Sequence, residues 1–177
     1  MRSRNRAIDE GLYFISSSIV EMIPVFVNDK YFKILVDAVN YCIKEKDLSV
    51  FHYVFLDNHF HMIVSSNNLS ETISSLKRHT ARELIKQFRR DNKVWLLTCL
   101  SNYKKVYKTD SDYQIWQEGF HPKIISTNDM LLQKIHYIYF NPVKRGLVNK
   151  PEDWRYSSAC NVDEEGKEII PLDEFII

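Results

Sequence analysis

Two histidines separated by a single residue are the first candidates for chemistry in this chain. His59 and His61 lie in the segment NHFHMIV, which begins at Asn58. Because side chains alternate along a β-strand, both imidazoles would lie on one face and Phe60 on the other. Two imidazoles so placed can hold one metal ion. Two half-exposed histidines without a ligand would give the same pattern, and a motif this short leaves both interpretations open.

A second constellation is KIHYIYFNP, which runs from Lys134 to Pro142. On a helix, Tyr137 and Asn141 are four residues apart and lie one above the other, so a hydroxyl nucleophile and an amide oxygen would reach one point. Tyr139 has the same chemistry and competes for the role. Packing tyrosines and a helix-end asparagine before a proline are the alternatives that these residues alone leave open.

The formal net charge of +1 hides an uneven distribution of charge. Residues 72–109 contain ten Lys and Arg against two acidic residues, whereas residues 151–177 contain eight acidic residues against two basic ones. A basic middle segment and an acidic tail suggest that one face meets a polyanion. A solvated helix face is the alternative explanation.

The order of predicted elements indicates an α+β fold. Periodicity predicts strands over 12–20, 49–56, 59–66 and 113–125 and helices over 29–46, 70–90 and 127–141, with residues 91–112 unassigned. Ser70 is the expected N-cap of the second helix; Ser126 and Thr127 can cap the third, and Pro142 should stop it. This order is typical of a single ferredoxin-like domain over 1–177, an antiparallel sheet with helices mainly on one face. Trp116 and Trp154 are expected in the core.

Several protein classes are disfavoured by composition. The chain has no apolar run of about 18 residues, so we expect no membrane span. Arg2, Arg4 and Arg6 precede a segment interrupted by serines, which argues against a signal peptide. Three widely spaced cysteines fit reduced thiols in a cytoplasmic protein.

The two chemical segments together carry a family resemblance. NHFHMIV, followed about 75 residues later by YIYFNPVKRGLV, resembles the HUH single-tyrosine transposases, and most closely the REP-associated tyrosine transposases. IWQEGFHPKII and PEDWRYSSA resemble further segments of that family, so the likeness covers roughly residues 10–160. Two departures stand out: Leu56-Asp57 replaces the Met-Pro often found before the Asn-His, and residues 92–112 are longer than in compact members.

This resemblance implies a ferredoxin-like fold and an active site. The divalent metal would be bound by His59, His61 and the amide of Asn141. In the family the nucleophile lies four residues before that amide, which selects Tyr137 over Tyr139. A ligand set with few soft atoms favours Mg²⁺ or Mn²⁺ in use, although Zn²⁺ or Ni²⁺ can bind such a site more tightly.

The implied reaction is DNA nicking and strand transfer for transposition or related mobilisation. Tyrosine attack on a phosphodiester yields a 5′-phosphotyrosine and a free 3′-OH, so the strand can be rejoined without ATP. Two rivals remain: a non-catalytic module that binds nucleic-acid hairpins, and a metal-dependent hydrolase in which the histidines activate water. The sequence leaves the oligomeric state open, with a homodimer as one option.

The expected partner is single-stranded or hairpin DNA. Tyr103, Tyr107 and Trp95 could stack on unpaired bases. The candidate phosphate contacts are Lys77, Arg78, Arg82, Lys86, Arg89, Arg90, Lys104, Lys105 and Lys108.

Overall fold

The computed structural model describes residues 11–109 and 111–174. Arg2, Arg4 and Arg6, and both ends of the predicted 1–177 domain, lie outside the described residues. The strands are β1 (Tyr13–Ser18), β2 (Ser49–Phe55), β3 (His59–Ser65) and β4 (Lys123–Ile124). The helices are α1 (Asp29–Glu45), α2 (Leu69–Arg90), α3 (Val94–Asn102) and α4 (Asn128–Lys144). Along the chain they follow the order β1, α1, β2, β3, α2, α3, β4, α4.

The four strands form one antiparallel sheet in the order β2-β3-β1-β4, as the ferredoxin-like prediction requires. β3 is therefore an inner strand. Its His61 lies opposite Ser16 of β1 and Val54 of β2, and its His59 lies opposite Ser18. The histidine motif is thus held on both sides by strand pairing.

The two faces of the sheet are covered differently. The larger core contains Ile15, Phe60 and Met62 of the sheet together with the apolar faces of α1, α2 and α3. Helix α4 packs on the opposite face, where its fully buried Ile138 joins the cluster of Phe14, Val54 and Ile63. The prediction that helices lie mainly on one face is confirmed, and α4 alone shares the face of the two histidines.

The predicted start of α2 was wrong by one residue. The helix begins at Leu69, so Ser70 lies inside its first turn and is no N-cap. Asn68 occupies the capping position without a side-chain bond to the helix backbone, and its amide instead donates to the Glu71 carboxylate at 2.7 Å. A stable first turn therefore forms here without the expected serine.

Pro142 does not stop α4, contrary to the prediction. The helix continues to Lys144, and the N–H groups of Arg145 and Gly146 close its last turn on the carbonyls of Asn141 and Val143. A proline this close to a helix end removes the partner of one carbonyl only. Asn141 therefore lies within the helix. The predicted cap is confirmed at the other end, where the Thr127 hydroxyl accepts from the Met130 N–H.

The connection from α2 to α4 departs most from expectation. Residues 94–102, which were unassigned, form α3. Of the strand predicted over 113–125, only Lys123–Ile124 pairs with β1, because Gly119 in a left-handed conformation and Pro122 interrupt the segment. Trp116 still forms an isolated bridge with Ile19, so this segment follows the edge of β1.

The structure shows the burial of both predicted core tryptophans and the state of the three cysteines. Trp116 is buried, and its indole N–H donates to the Thr80 hydroxyl at 3.0 Å. Trp154 is half-buried and donates to the carbonyl of Phe55. The three cysteines are free. Among the described helices, none combines the length and apolar character needed to cross a bilayer.

Candidate active site

Helix α4 places a tyrosine against the histidine pair. The hydroxyl of Tyr137 lies 3.4 Å from Nε2 of His61, and the two ring centroids are 5.0 Å apart. Phe14 stacks on His61 with a centroid separation of 5.4 Å and meets the Tyr137 ring edge-on at 5.9 Å. Tyr137 is 38% exposed, so this phenol is supported by two rings and still reachable from solvent.

The two imidazoles of the histidine motif lie side by side. Their ring centroids are 4.9 Å apart, and both side chains are buried. Nδ1 of His59 lies 2.7 Å from Oδ1 of Asn58, and Nδ1 of His61 lies 2.6 Å from the hydroxyl of Ser16. An imidazole that donates from Nδ1 keeps a lone pair on Nε2 for a metal, and such outer hydrogen bonds usually orient histidine ligands.

Burial keeps both histidines neutral. It lowers the pKa of His59 to about 4, and the positive charge of Arg145 lowers that pKa further. Burial likewise lowers the pKa of His61 to about 3, aided by His59 and by the ammonium group of Lys134. A histidine must be unprotonated to bind a metal, so both rings are in the ligating form at neutral pH.

Asn141 is buried one helical turn beyond Tyr137 and one turn before Arg145. The Arg145 guanidinium donates from Nη1 to Oδ1 of Asn58 at 3.0 Å and lies 3.4 Å from Nδ1 of His59. α4 is thus anchored to the histidine segment on both sides of the Asn141 position. In residues 11–109 and 111–174 no group of three His, Cys, Asp or Glu side chains is placed to hold a metal.

The competing residues of α4 point elsewhere. The Tyr139 hydroxyl lies 3.1 Å from Nδ1 of His52, its ring packs in the smaller core, and burial raises its pKa. His136, the sequence neighbour of Tyr137, stacks on Phe140 at 4.4 Å on the outer surface. Of these aromatic side chains, Tyr137 alone contacts the histidine pair.

Several site residues were missed by sequence reasoning. Lys134 lies over the Phe14 ring at 5.0 Å, and Arg145 forms an ion pair with Asp57 at 2.9 Å. Helical spacing was the available signal, because Lys134, Tyr137, Asn141 and Arg145 follow one another at intervals of three or four residues. The Ser16 contact depends on strand register and had no such signal.

A basic groove of about 960 Å³ lies between α2 and a segment that comprises Lys108 and residues 111–120. Because α2 packs on the larger core, this groove belongs to the other side of the sheet from Tyr137. Of the nine predicted phosphate contacts, Arg90, Lys104 and Lys105 are outside the groove lining. The six that line it are Lys77, Arg78, Arg82, Lys86, Arg89 and Lys108.

The groove cations differ in how freely they can meet a ligand. Lys77 donates to the carbonyls of Gln117 and Gly119, and burial lowers its pKa, so it holds the groove wall in place. Lys108 pairs with Glu118 at 3.2 Å and Lys86 with Glu83 at 2.9 Å. These are exposed or half-exposed pairs, which contribute little stability and can exchange one anion for another.

The predicted base-stacking residues lie on and just after α3. Trp95 is 71% exposed, and Tyr103 and Tyr107 also present their rings to solvent. The Tyr107 hydroxyl donates to the Glu118 carboxylate, which ties this segment to the groove. Exposed rings next to cations are the arrangement that single-stranded nucleic acids stack on.

Known proteins resemble this chain in sequence and fold. No family model matches it. A Haemophilus influenzae protein, whose curated name assigns it provisionally to the REP-associated tyrosine transposases, is 29% identical over 159 residues, covering 84% of this chain and 79% of its own length. A solved REP-associated tyrosine transposase bound to a REP hairpin has the same fold, with a TM-score of 0.62 at 19% identity, covering 100% of this chain and 99% of its own. The chain is therefore similar in sequence to one REP-associated tyrosine transposase and shares the fold of another.

Proposed function

We propose that this chain is a metal-dependent tyrosine transposase that nicks and rejoins single-stranded or hairpin DNA through Tyr137. The observation that carries the proposal is the Tyr137 hydroxyl lying 3.4 Å from Nε2 of His61. The sequence relationship to REP-associated tyrosine transposases supports transposase-type DNA processing. Both residues belong to one chain, so we propose that the site is complete without a partner subunit.

The residues fit a divalent cation. His59 and His61 are neutral, buried and hydrogen-bonded at Nδ1, and Asn141 brings a hard amide oxygen on the same side of the sheet. When bound, Mg²⁺ or Mn²⁺ would polarise a phosphoryl oxygen and stabilise charge on the phosphate.

In the proposed cleavage step, the phenol oxygen of Tyr137 attacks the phosphorus atom of a DNA phosphodiester. The new bond is Tyr137 Oη–P and the broken bond is P–O3′; the phenolic proton passes to solvent, and the leaving oxygen takes up a proton to become a free 3′-OH. Attack by a 3′-OH on the phosphotyrosine reverses the step and rejoins a strand. Lys134, beside His61 and Phe14, supplies positive charge close to the reacting phosphate.

The proposed substrate is held by the basic groove. The structural relative was solved with a REP hairpin, and we extend that ligand class to this chain. Arg78, Arg82 and Lys86 line one side of the groove along α2 and offer phosphate contacts without reading sequence.

Denaturing electrophoresis with hairpin oligonucleotides labelled at either end tests the proposal. A tyrosine transposase should give a protein–DNA band that retains the label on the 3′ side of the cut. A hydrolase would release a free 5′-phosphate without this band, and a binding module would leave the DNA intact. Either of those results with Mn²⁺ present would overturn the proposed chemistry.

A further inference from the structure

We propose that Arg145 is a positioning residue that holds the His59 imidazole with its proton on Nδ1, acting through the Asn58 amide and anchored by Asp57. The effect on metal affinity rests on the proposed function. The effect on the imidazole follows from the contacts around Asn58 alone.

The Asn58 side chain is fixed from both ends. Its Nδ2 donates to the Met22 carbonyl at 2.8 Å, and its Oδ1 accepts from Arg145 Nη1 at 3.0 Å. A carbonyl can only accept and a guanidinium can only donate, so these two neighbours allow one orientation of the amide. Oδ1 must therefore face His59.

This orientation selects the His59 tautomer. Oδ1 of Asn58 lies 2.7 Å from Nδ1 of His59, and an amide oxygen has no proton to give. Nδ1 donates to this oxygen, and Arg145 Nη1, which lies 3.4 Å from Nδ1, donates to the same oxygen at the shorter distance of 3.0 Å, so the lone pair is left on Nε2. If the amide were reversed, its NH₂ group would face Nδ1, the imidazole proton would move to Nε2, and Nε2 could no longer bind a metal.

The backbone conformation at Glu21 and Met22 supports the hydrogen bond from the Asn58 amide to the Met22 carbonyl. Glu21 and Met22 have φ of 49° and 53°, a left-handed conformation that is unusual for residues other than glycine. Such strain persists where surrounding contacts hold it, and here it presents the Met22 carbonyl to Asn58.

Asp57 holds the Arg145 guanidinium, which contacts Oδ1 of Asn58. Its carboxylate pairs with Arg145 Nη2 at 2.9 Å, while its backbone carbonyl accepts from the N–H groups of Val25 and Phe26. Both charged side chains are about one-third exposed or less, which limits screening of the pair.

Arg145 also ends the helix that carries the nucleophile. Its backbone N–H donates to the Asn141 carbonyl, and its side chain reaches the turn before β3. One residue therefore sets the distance of the α4 C-terminus from the histidine strand and the proton position on His59.

The test compares Arg145→Met with Lys144→Met, which removes a neighbouring exposed cation from the same helix end. Long-range ¹H–¹⁵N spectra of the metal-free protein report which imidazole nitrogen carries the proton. We expect His59 to be protonated on Nδ1 in the wild type and in Lys144→Met, and to be a mixture of tautomers in Arg145→Met. Calorimetric Mn²⁺ affinity should fall about 10- to 100-fold in Arg145→Met only.

Asp57→Asn keeps the shape of the anchor and provides a second variant if Arg145→Met does not fold. It should shift the His59 tautomer in the same direction. A pure Nδ1–H tautomer in both folded variants would overturn the inference. A shifted tautomer in a protein whose wild type binds no Mn²⁺ would support the role of Arg145 and count against the proposed metal chemistry instead.

Discussion

The hydroxyl of Tyr137 lies 3.4 Å from Nε2 of His61, although 76 residues separate them in the chain. Ile138 is fully buried against Phe14, Val54 and Ile63 and so fixes the rotation of α4 about its axis. This rotation keeps Tyr137 beside His61. With Ile138 directed into the sheet, the preceding tyrosine must meet the histidine strand. A packing residue next to Tyr137 thus determines where the phenol lies.

The first prediction separates the two tyrosines. Tyr137→Phe should abolish the covalent DNA adduct while leaving folding, Mn²⁺ binding and DNA affinity unchanged, because it removes one half-exposed hydroxyl. Tyr139→Phe should retain cleavage and lose about 1 kcal/mol of stability, because its hydroxyl is hydrogen-bonded at His52. Gel assays of the adduct and urea unfolding measure both. An adduct that persists in Tyr137→Phe would assign the nucleophile elsewhere.

The second prediction concerns the metal ligands. His59→Ala, His61→Ala and Asn141→Ala should each weaken Mn²⁺ binding measured by calorimetry, and each histidine should matter more than the amide because imidazole is the stronger donor. His136→Ala is the matched control, since His136 stacks on Phe140 away from the site. Equal Mn²⁺ affinity in all four variants would exclude this ligand set.

The third prediction concerns DNA affinity. Replacing Arg78, Arg82 and Lys86 together with alanine should weaken hairpin binding and reduce its dependence on salt. The log–log salt slope should become shallower by about 0.7 for each single-strand phosphate contact removed. Removing Lys33, Lys44 and Lys150 instead changes the net charge equally but leaves the groove intact. If both triple variants lose the same affinity, overall charge and not the groove controls binding.

The fourth prediction is a pH dependence of stability from His52. Burial lowers its folded-state pKa to about 4, below the ordinary value of 6.5. Between pH 6.5 and pH 4 the unfolded chain therefore binds a proton at His52 and the folded chain does not. The contribution of His52 to the free energy of unfolding is fully present above pH 6.5 and is lost as pH falls towards 4. His52 alone should contribute at most about 1.4 kcal/mol per pH unit, and His59 and His61, whose pKa values burial also lowers, add to the loss in the same window.

His52→Phe should flatten the stability profile in this pH window relative to the wild type, because it keeps a ring in the smaller core. Urea unfolding at intervals between pH 7 and pH 4 makes the comparison. A profile with the same slope in both proteins would show that other groups carry the effect.

Local patterns were sufficient to predict much of the site. Strand alternation predicted that His59 and His61 share one face, and helical spacing placed Tyr137 and Asn141 together, whereas the choice of Tyr137 over Tyr139 rested on the family resemblance. Nothing local indicated that α4 covers the opposite face from the other helices, because that choice depends on how Ile138 packs between strands distant in sequence. Helical spacing placed Arg145 in line with Tyr137 and Asn141, but its partners Asp57 and Asn58 lie more than 80 residues earlier and gave no local signal.

Errors in the predicted elements also have physical causes. Pro142 was expected to end α4, but a proline near the last turn removes only one hydrogen bond, and the helix continues to Lys144. The strand expected over 113–125 contains apolar residues that are buried, yet Trp116 and Ile115 fill the core from an irregular segment. The hydrophobicity of these residues predicted that they are buried, but it did not predict the conformation of their backbone.

The basic groove and Tyr137 lie on opposite sides of one sheet, which sets a requirement on substrate length. Any DNA held along α2 would have to pass around an edge of the sheet before it reached the phenol. The two-residue β4 forms one outer edge of the sheet. We therefore expect cleavage to depend on the length of the strand that flanks the hairpin: hairpins whose flanking strands are too short to reach around the sheet edge would be bound but not cut.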